Sequence, residues 1–243
     1  MEAHPFSISF NMNRLANILL LAGVPLISAH YKGTGVPSVN VPACGKGLGS
    51  VQYDRSVPNG ENKFPLTKVD LCYTNSDIKI KFSALEEVNF FYNESHKTND
   101  PLYEYEVMEA FIYQGTNDPT TYLEFEVSPN NVTFQAFIYN PSKVRAAGAP
   151  FDNGALLGTP IQDGLVTTTT LDRAAGSWIT DATIPLGLFN VENGKARGTK
   201  WRMNFFRTIV SPATFPDQGL GAWNPTNESN FHMTPFFGKV NFV

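Results

Sequence analysis

Residues 103–127 read YEYEVMEAFIYQGTNDPTTYLEFEV and confine the chain to a narrow set of folds. Two runs within this stretch, 106–113 and 122–127, alternate with the two-residue period of a β-strand. In the second run Leu123, Phe125 and Val127 share one face, and Tyr122, Glu124 and Glu126 the other. In the first, Met108, Ala110 and Ile112 oppose Val107, Glu109, Phe111 and Tyr113. The connection between them, QGTNDPTT, is too polar for a buried strand. Acidic groups and aromatic rings thus share strand faces. Such a face can stack on a sugar ring and hold its hydroxyls. A sheet with one solvated face shows the same alternation.

The two-residue period recurs at 67–73, 78–82, 132–139, 165–171, 178–184, 200–210 and 237–243. Shorter edge strands are expected at 39–41 and 51–53, inside an irregular Gly/Pro/Asn-rich lead-in over 30–65. Residues 84–89 read as one helical turn and 185–189 as a 3-10 turn. In the run KWRMNFFRTIV, Trp201, Met203, Phe205, Arg207 and Ile209 fall on one face. Trp178 and Trp201 are expected in the core. Residues 140–164 form a long Gly/Ala/Pro/Asn-rich connection, of the kind that is usually functional or mobile. Nineteen Phe and nine Tyr favour strands, and 19 Gly with 17 Pro supply the turns between them. The expected fold is all-β, a β-sandwich of about nine to ten antiparallel strands, as a single domain over residues 30–243.

Residues 1–29 are set apart from this domain. Arg14 precedes an apolar run over 15–29 that ends in small residues, the pattern of a secretory signal peptide. Met12 offers an alternative start. The run is short for a membrane span, so the mature protein is expected to be secreted and free of the membrane. Three sequons agree with that route, at Asn93, Asn131 and Asn227. In an oxidising compartment the only two cysteines, Cys44 and Cys72, would pair; in a reducing one they would be buried thiols. The formal net charge is −4 with no dense Lys/Arg stripe, which argues against a nucleic-acid partner.

Catalytic signatures are sparse. His4, His30, His96 and His232 are scattered, and no nucleophile elbow, zinc-protease motif or phosphate loop is present. Glu104, Glu106, Glu109, Glu124 and Glu126 do gather in two runs, but glycoside hydrolysis needs two carboxyls facing each other across a bond, and solvated acidic strand edges are the commoner explanation. Cleavage after Ala29 would leave His30 as an amino-terminal copper chelate, given a second histidine at 96 or 232. Calcium could use Asn99 with Asp100 or Asn117 with Asp118, although turns favour the same residues.

Several blocks, in order, resemble family 9 carbohydrate-binding modules and their fungal relatives. MEAFIYQG followed by YLEFEVSPNN is similar to that family's paired core strands. WITDATIPLGLF, TKWRMNFFR, and AWNPT followed by NFHMTPFFGKVNF resemble its later strands. The resemblance runs from about residue 67 to 243. It implies a sandwich related to the DOMON fold, two aromatic rings enclosing a sugar, polar groups on its hydroxyls, and structural calcium. Glu109 matches the family's acidic residue and Tyr103 the first stacking ring. Phe231 or Trp223 would be the second ring. The family's bacterial members place an arginine where this chain has Glu126 or Glu124, and Arg207 is then the candidate to supply a cation from another strand. The expected function is non-catalytic carbohydrate binding. The alternatives are a glycoside-active or copper-dependent enzyme, a haem module using Met108 or Met203 with His232, and a structural protein that has lost the sugar site.

Overall fold

The computed structural model describes residues 35–243. The expected signal peptide over 1–29, the alternative start at Met12 and the His30 chelate lie outside the described residues. Among the described residues, thirteen strands form two sheets. They are β1 (Ser38–Val41), β2 (Gly49–Arg55), β3 (Lys63–Tyr73), β4 (Asp77–Ala84), β5 (Val107–Gln114), β6 (Thr121–Val127) and β7 (Thr133–Tyr139), then β8 (Asp152–Leu156), β9 (Val166–Asp172), β10 (Ser177–Pro185), β11 (Lys200–Val210), β12 (Gln218–Ala222) and β13 (Gly238–Phe242). The larger sheet runs β1-β13-β11-β5-β6-β7-β8, with β12 also paired to β11. The smaller runs β2-β3-β4-β10-β9. All ladders are antiparallel except β1 with β13, which is parallel.

Alternation builds the layer between the sheets. Val69, Leu71, Ile78, Ile80, Phe82, Trp178 and Ile184 of the smaller sheet meet Met108, Ile112, Leu123, Phe125, Trp201, Met203 and Phe205 of the larger. The Phe82 ring lies 6.3 Å from both Phe125 and Phe205, pinning one sheet to the other near its middle. Each such side chain, fully buried, contributes about 1.5–3 kcal/mol. Cys44 and Cys72 form a disulfide that ties the segment after β1 to β3.

The outer face of the larger sheet is not solvated. Phe111, Tyr122, Ala136, Ile138 and Phe206 carry a second apolar cluster there, roofed by Phe231 and Phe237 from the closing loop. β5 and β6 are therefore buried on both faces. Several expectations change with this. β8 and β12 fall inside segments read as loops, and β1, β2 and the start of β3 order much of the 30–65 lead-in. Residues 84–89 form no helical turn. β4 ends at Ala84, and the Glu87 carboxylate folds back onto the backbone N–H groups of Val88, Asn89 and Phe90 at 2.7, 2.8 and 3.3 Å.

Candidate functional site

The acidic face of β5 and β6 opens into a cleft of about 650 Å³. Strand register sets its floor. Across the sheet one row runs Ala222, Phe206, Glu109, Glu126 and Phe134. The next runs Asn204, Phe111, Glu124 and Ala136. Glu109 and Glu126 are thus direct cross-strand neighbours, an arrangement that like charges disfavour. Glu109, Glu124 and Glu126 are all buried, and a carboxylate oxygen from each lies within 4.8 Å of the others.

Burial pushes all three carboxyls upward. Glu109 rises well above the usual range through desolvation and the nearby Glu124 charge. Glu126 does so through desolvation and then the charges of Glu109 and Glu124. Glu124 is pushed up to about 8 by desolvation, with the Arg145 guanidinium pulling the other way. At neutral pH the floor therefore retains protons, and it can donate as well as accept hydrogen bonds.

Three loops make the walls. The first carries Asn99, Pro101 and Tyr103. The Asn99 side chain accepts from the Gln135 amide at 2.8 Å and donates to the Leu157 carbonyl at 3.1 Å, which fastens this loop to β7. Tyr103 sits in a 3-10 turn, 57% exposed, and its carbonyl accepts from the Gln218 amide at 2.6 Å. The second wall is the start of the long connection, with Arg145, Phe151, Asp152 and Asn153. Asn140 fixes it: its Nδ2 donates to the His232 carbonyl at 2.8 Å and its Oδ1 accepts from the Arg145 N–H at 3.1 Å. Arg145 takes a left-handed φ of 51°, and its guanidinium stands 4.4 Å from the Phe151 ring centre. A non-glycine residue in that region of φ is held by its surroundings, here the Asn140 bonds.

The third wall holds Ser229, Asn230, Phe231 and His232. Phe231 stacks on Phe206 at 4.2 Å and is itself mostly buried. His232 stacks on Phe111 at 5.0 Å, and its Nδ1 lies 2.7 Å from the Tyr122 hydroxyl. Burial keeps the Tyr122 proton in place, so the contact joins two neutral groups. Burial and the Arg145 charge hold His232 down to about 3. Its 3.8 Å approach to Glu124 is then a polar contact and not an ion pair at neutral pH.

Of the residues picked from sequence, Tyr103, Glu109, Glu126 and Phe231 line this cleft. Arg207 and Trp223 do not. Arg207 points between the sheets, where its guanidinium bonds Glu87 at 2.7 Å, the Leu85 carbonyl at 3.0 Å and Thr67 at 3.2 Å. Trp223 packs on Phe205 at 5.8 Å in the inter-sheet layer, closing over Gly238, where any side chain would collide with its ring. The cation that faces the carboxylates is Arg145, from a loop with no strand periodicity to announce it. His232 was adjacent to a chosen residue, and Glu124 shared the right strand face.

Other readings also meet the geometry. In the loops named for calcium, Asp118 pairs with Arg202 at 2.6 Å, Asn99 accepts from the Gln135 amide at 2.8 Å and Asp100 accepts from the Lys97 N–H at 2.7 Å. Met108 and Met203 face the inter-sheet core while His232 faces the cleft, so neither methionine pairs with it around a haem. Of the two histidines named as copper partners for His30, His96 packs edge-on to Tyr105 and His232 lines the cleft. Asn131 and Asn227 are exposed, and Asn93 is half-buried.

No known protein-family model matches the chain. An extracellular protein of Arthroderma benhamiae is 51% identical over 207 residues, covering 85% of this chain and 91% of that protein. Among solved structures, a proposed carbohydrate-binding protein from Bacteroides uniformis superposes with a TM-score of 0.61 at 16% identity, covering 85% of this chain and 99% of the other. A family 9 carbohydrate-binding module from Caldicellulosiruptor kristjanssonii, solved with cellotriose, gives 0.55 at 13% identity over 84% and 93% of the two chains. The same kind of module solved with glucose gives 0.56 at 13% over 85% and 95%. These structural likenesses establish a family 9-like sandwich.

Proposed function

We propose that this chain, which belongs to one family with the extracellular protein of Arthroderma benhamiae and has the fold of family 9 carbohydrate-binding modules, is a secreted, non-catalytic carbohydrate-binding protein. One observation carries the reading: buried carboxyls form the floor of an open cleft whose walls carry aromatic rings. Tyr103 offers an exposed ring face on one rim, and Phe231 stands on the opposite loop. Glu109, Glu124 and Glu126 take the sugar hydroxyls, and Arg145 supplies a cation at the edge. Each hydrogen bond between a protonated carboxyl and a sugar hydroxyl contributes about 0.5–1.5 kcal/mol net. The fold neighbours solved with glucose and cellotriose support the ligand class. The extracellular relative, the disulfide and the leader-like residues 1–29 support secretion.

Titration calorimetry of the deglycosylated protein with glucose, xylose, cellobiose and xylobiose tests this, beside depletion by insoluble cell-wall glycans. Binding is expected to fall at least tenfold in Tyr103→Ala and in Glu109→Gln. No heat and no depletion with any glycan would overturn it. A second reading, glycoside hydrolysis, rests on the proton-retaining carboxyls lying so close together. Release of reducing ends from those glycans, lost in Glu124→Gln, would favour it. Glycans at Asn93, Asn131 and Asn227 are part of the secreted reading, and an endoglycosidase mass shift checks them.

A further inference from the structure

Glu126 is the most exacting residue in the cleft. It is 1% exposed, and its Oε2 has no hydrogen-bond partner. It stands directly opposite Glu109 in the β5–β6 ladder, with Glu124 two residues before it on the same face. A buried, unpartnered carboxylate oxygen costs folding free energy unless something absent from the protein atoms meets it.

The geometry points to a divalent-cation site formed by Glu109, Glu124 and Glu126, which we infer holds calcium. The donor set is entirely carboxylate oxygen, which selects hard ions over copper or zinc. Calcium takes oxygens at about 2.3–2.6 Å, so two ligands on one ion stand at most about 4.6–5.2 Å apart. The mutual 4.8 Å limit of the three oxygens fits that span. A bound ion would balance the charge of the three carboxylates that ligate it across the β5–β6 ladder. Three carboxylates leave calcium short of its six to eight ligands, and the vacant side faces the cleft. Adjacent hydroxyls of a sugar can complete the shell there. This last role rests on the carbohydrate-binding reading; the ion site does not.

The test separates the two. EDTA-treated protein is titrated with CaCl2, MgCl2 or MnCl2 and its thermal unfolding followed. Saturating calcium is expected to raise Tm by several degrees, since an ion bound only to the folded state stabilises it by mass action. Glu126→Gln should fold, as shown by an unchanged circular dichroism spectrum, and lose that rise. No Tm response to any of the three salts would overturn the site. So would a calcium response that persists in both Glu126→Gln and Glu109→Gln, because the ion would then sit elsewhere. Sugar titration with calcium and with EDTA completes the set. A calcium response without sugar binding sinks the carbohydrate reading alone. Equal sugar binding in EDTA and calcium sinks the ion's role in capture.

Discussion

The guanidinium of Arg207 and the carboxylate of Glu87 meet at 2.7 Å with neither side chain exposed. Burial pulls the Glu87 carboxyl upward, but Arg207 and the N–H groups of Asn89 and Phe90 together hold it below its ordinary value. Removing one partner strands a buried charge. Arg207→Met is expected to cost about 3–5 kcal/mol in urea unfolding while leaving sugar affinity within about twofold. A large loss of affinity at unchanged stability would return Arg207 to the binding site. Glu106 behaves in the opposite sense. Burial and the Glu87 charge push its carboxyl up to about 8 from 4.5. The folded state then holds a proton that the unfolded chain releases, so this contribution is full at acid pH and is lost as pH rises from about 4.5 through 8. Glu106→Gln keeps an acceptor for the Phe91 N–H and should give a flatter decline of Tm over that window. An unchanged slope would show that Glu106 is ionised in the fold. Both residues were legible only in part. Strand alternation already placed Arg207 beside Trp201, Met203 and Phe205, and the core was the consistent assignment.

At the scale of elements, the Cys44–Cys72 disulfide closes a separation of 28 residues. In the chain-entropy model that contributes about 3–4 kcal/mol, so a Cys44→Ser, Cys72→Ser variant should melt roughly 7–14 °C lower. A change within 2–3 °C, on the order of 1 kcal/mol, would mean that the β1–β3 connection is rigid without it. Strands with strong period-two patterns were legible almost to the residue, β11 at both ends. β8 and β12 were not. Their sequences, DNGAL and QGLGA, are short and rich in Gly, and β8 is exposed along its whole length. Each is a strand because a longer neighbour, β7 or β11, offers it a free edge. The cleft was half legible for the same reason. Its floor follows from alternation on β5 and β6, whereas Arg145 and Phe151 depend on side-chain bonds from Asn140 and Asn230 that join loops about 90 residues apart in sequence.

Taken whole, the molecule has two apolar layers, one between the sheets and one on the outer face of the larger sheet. The second explains why the acidic face is buried and why its carboxyls hold protons. The larger sheet also places its first strand beside its last, with β1 lying parallel to β13 and the Val243 N–H donating to the Val41 carbonyl at 2.9 Å. During synthesis the smaller sheet gains β2, β3 and β4 early, while β1 must wait for β13 to emerge. That edge closes only after the rest of the larger sheet has been made, so a chain interrupted before β13 leaves β1 without its strand partner.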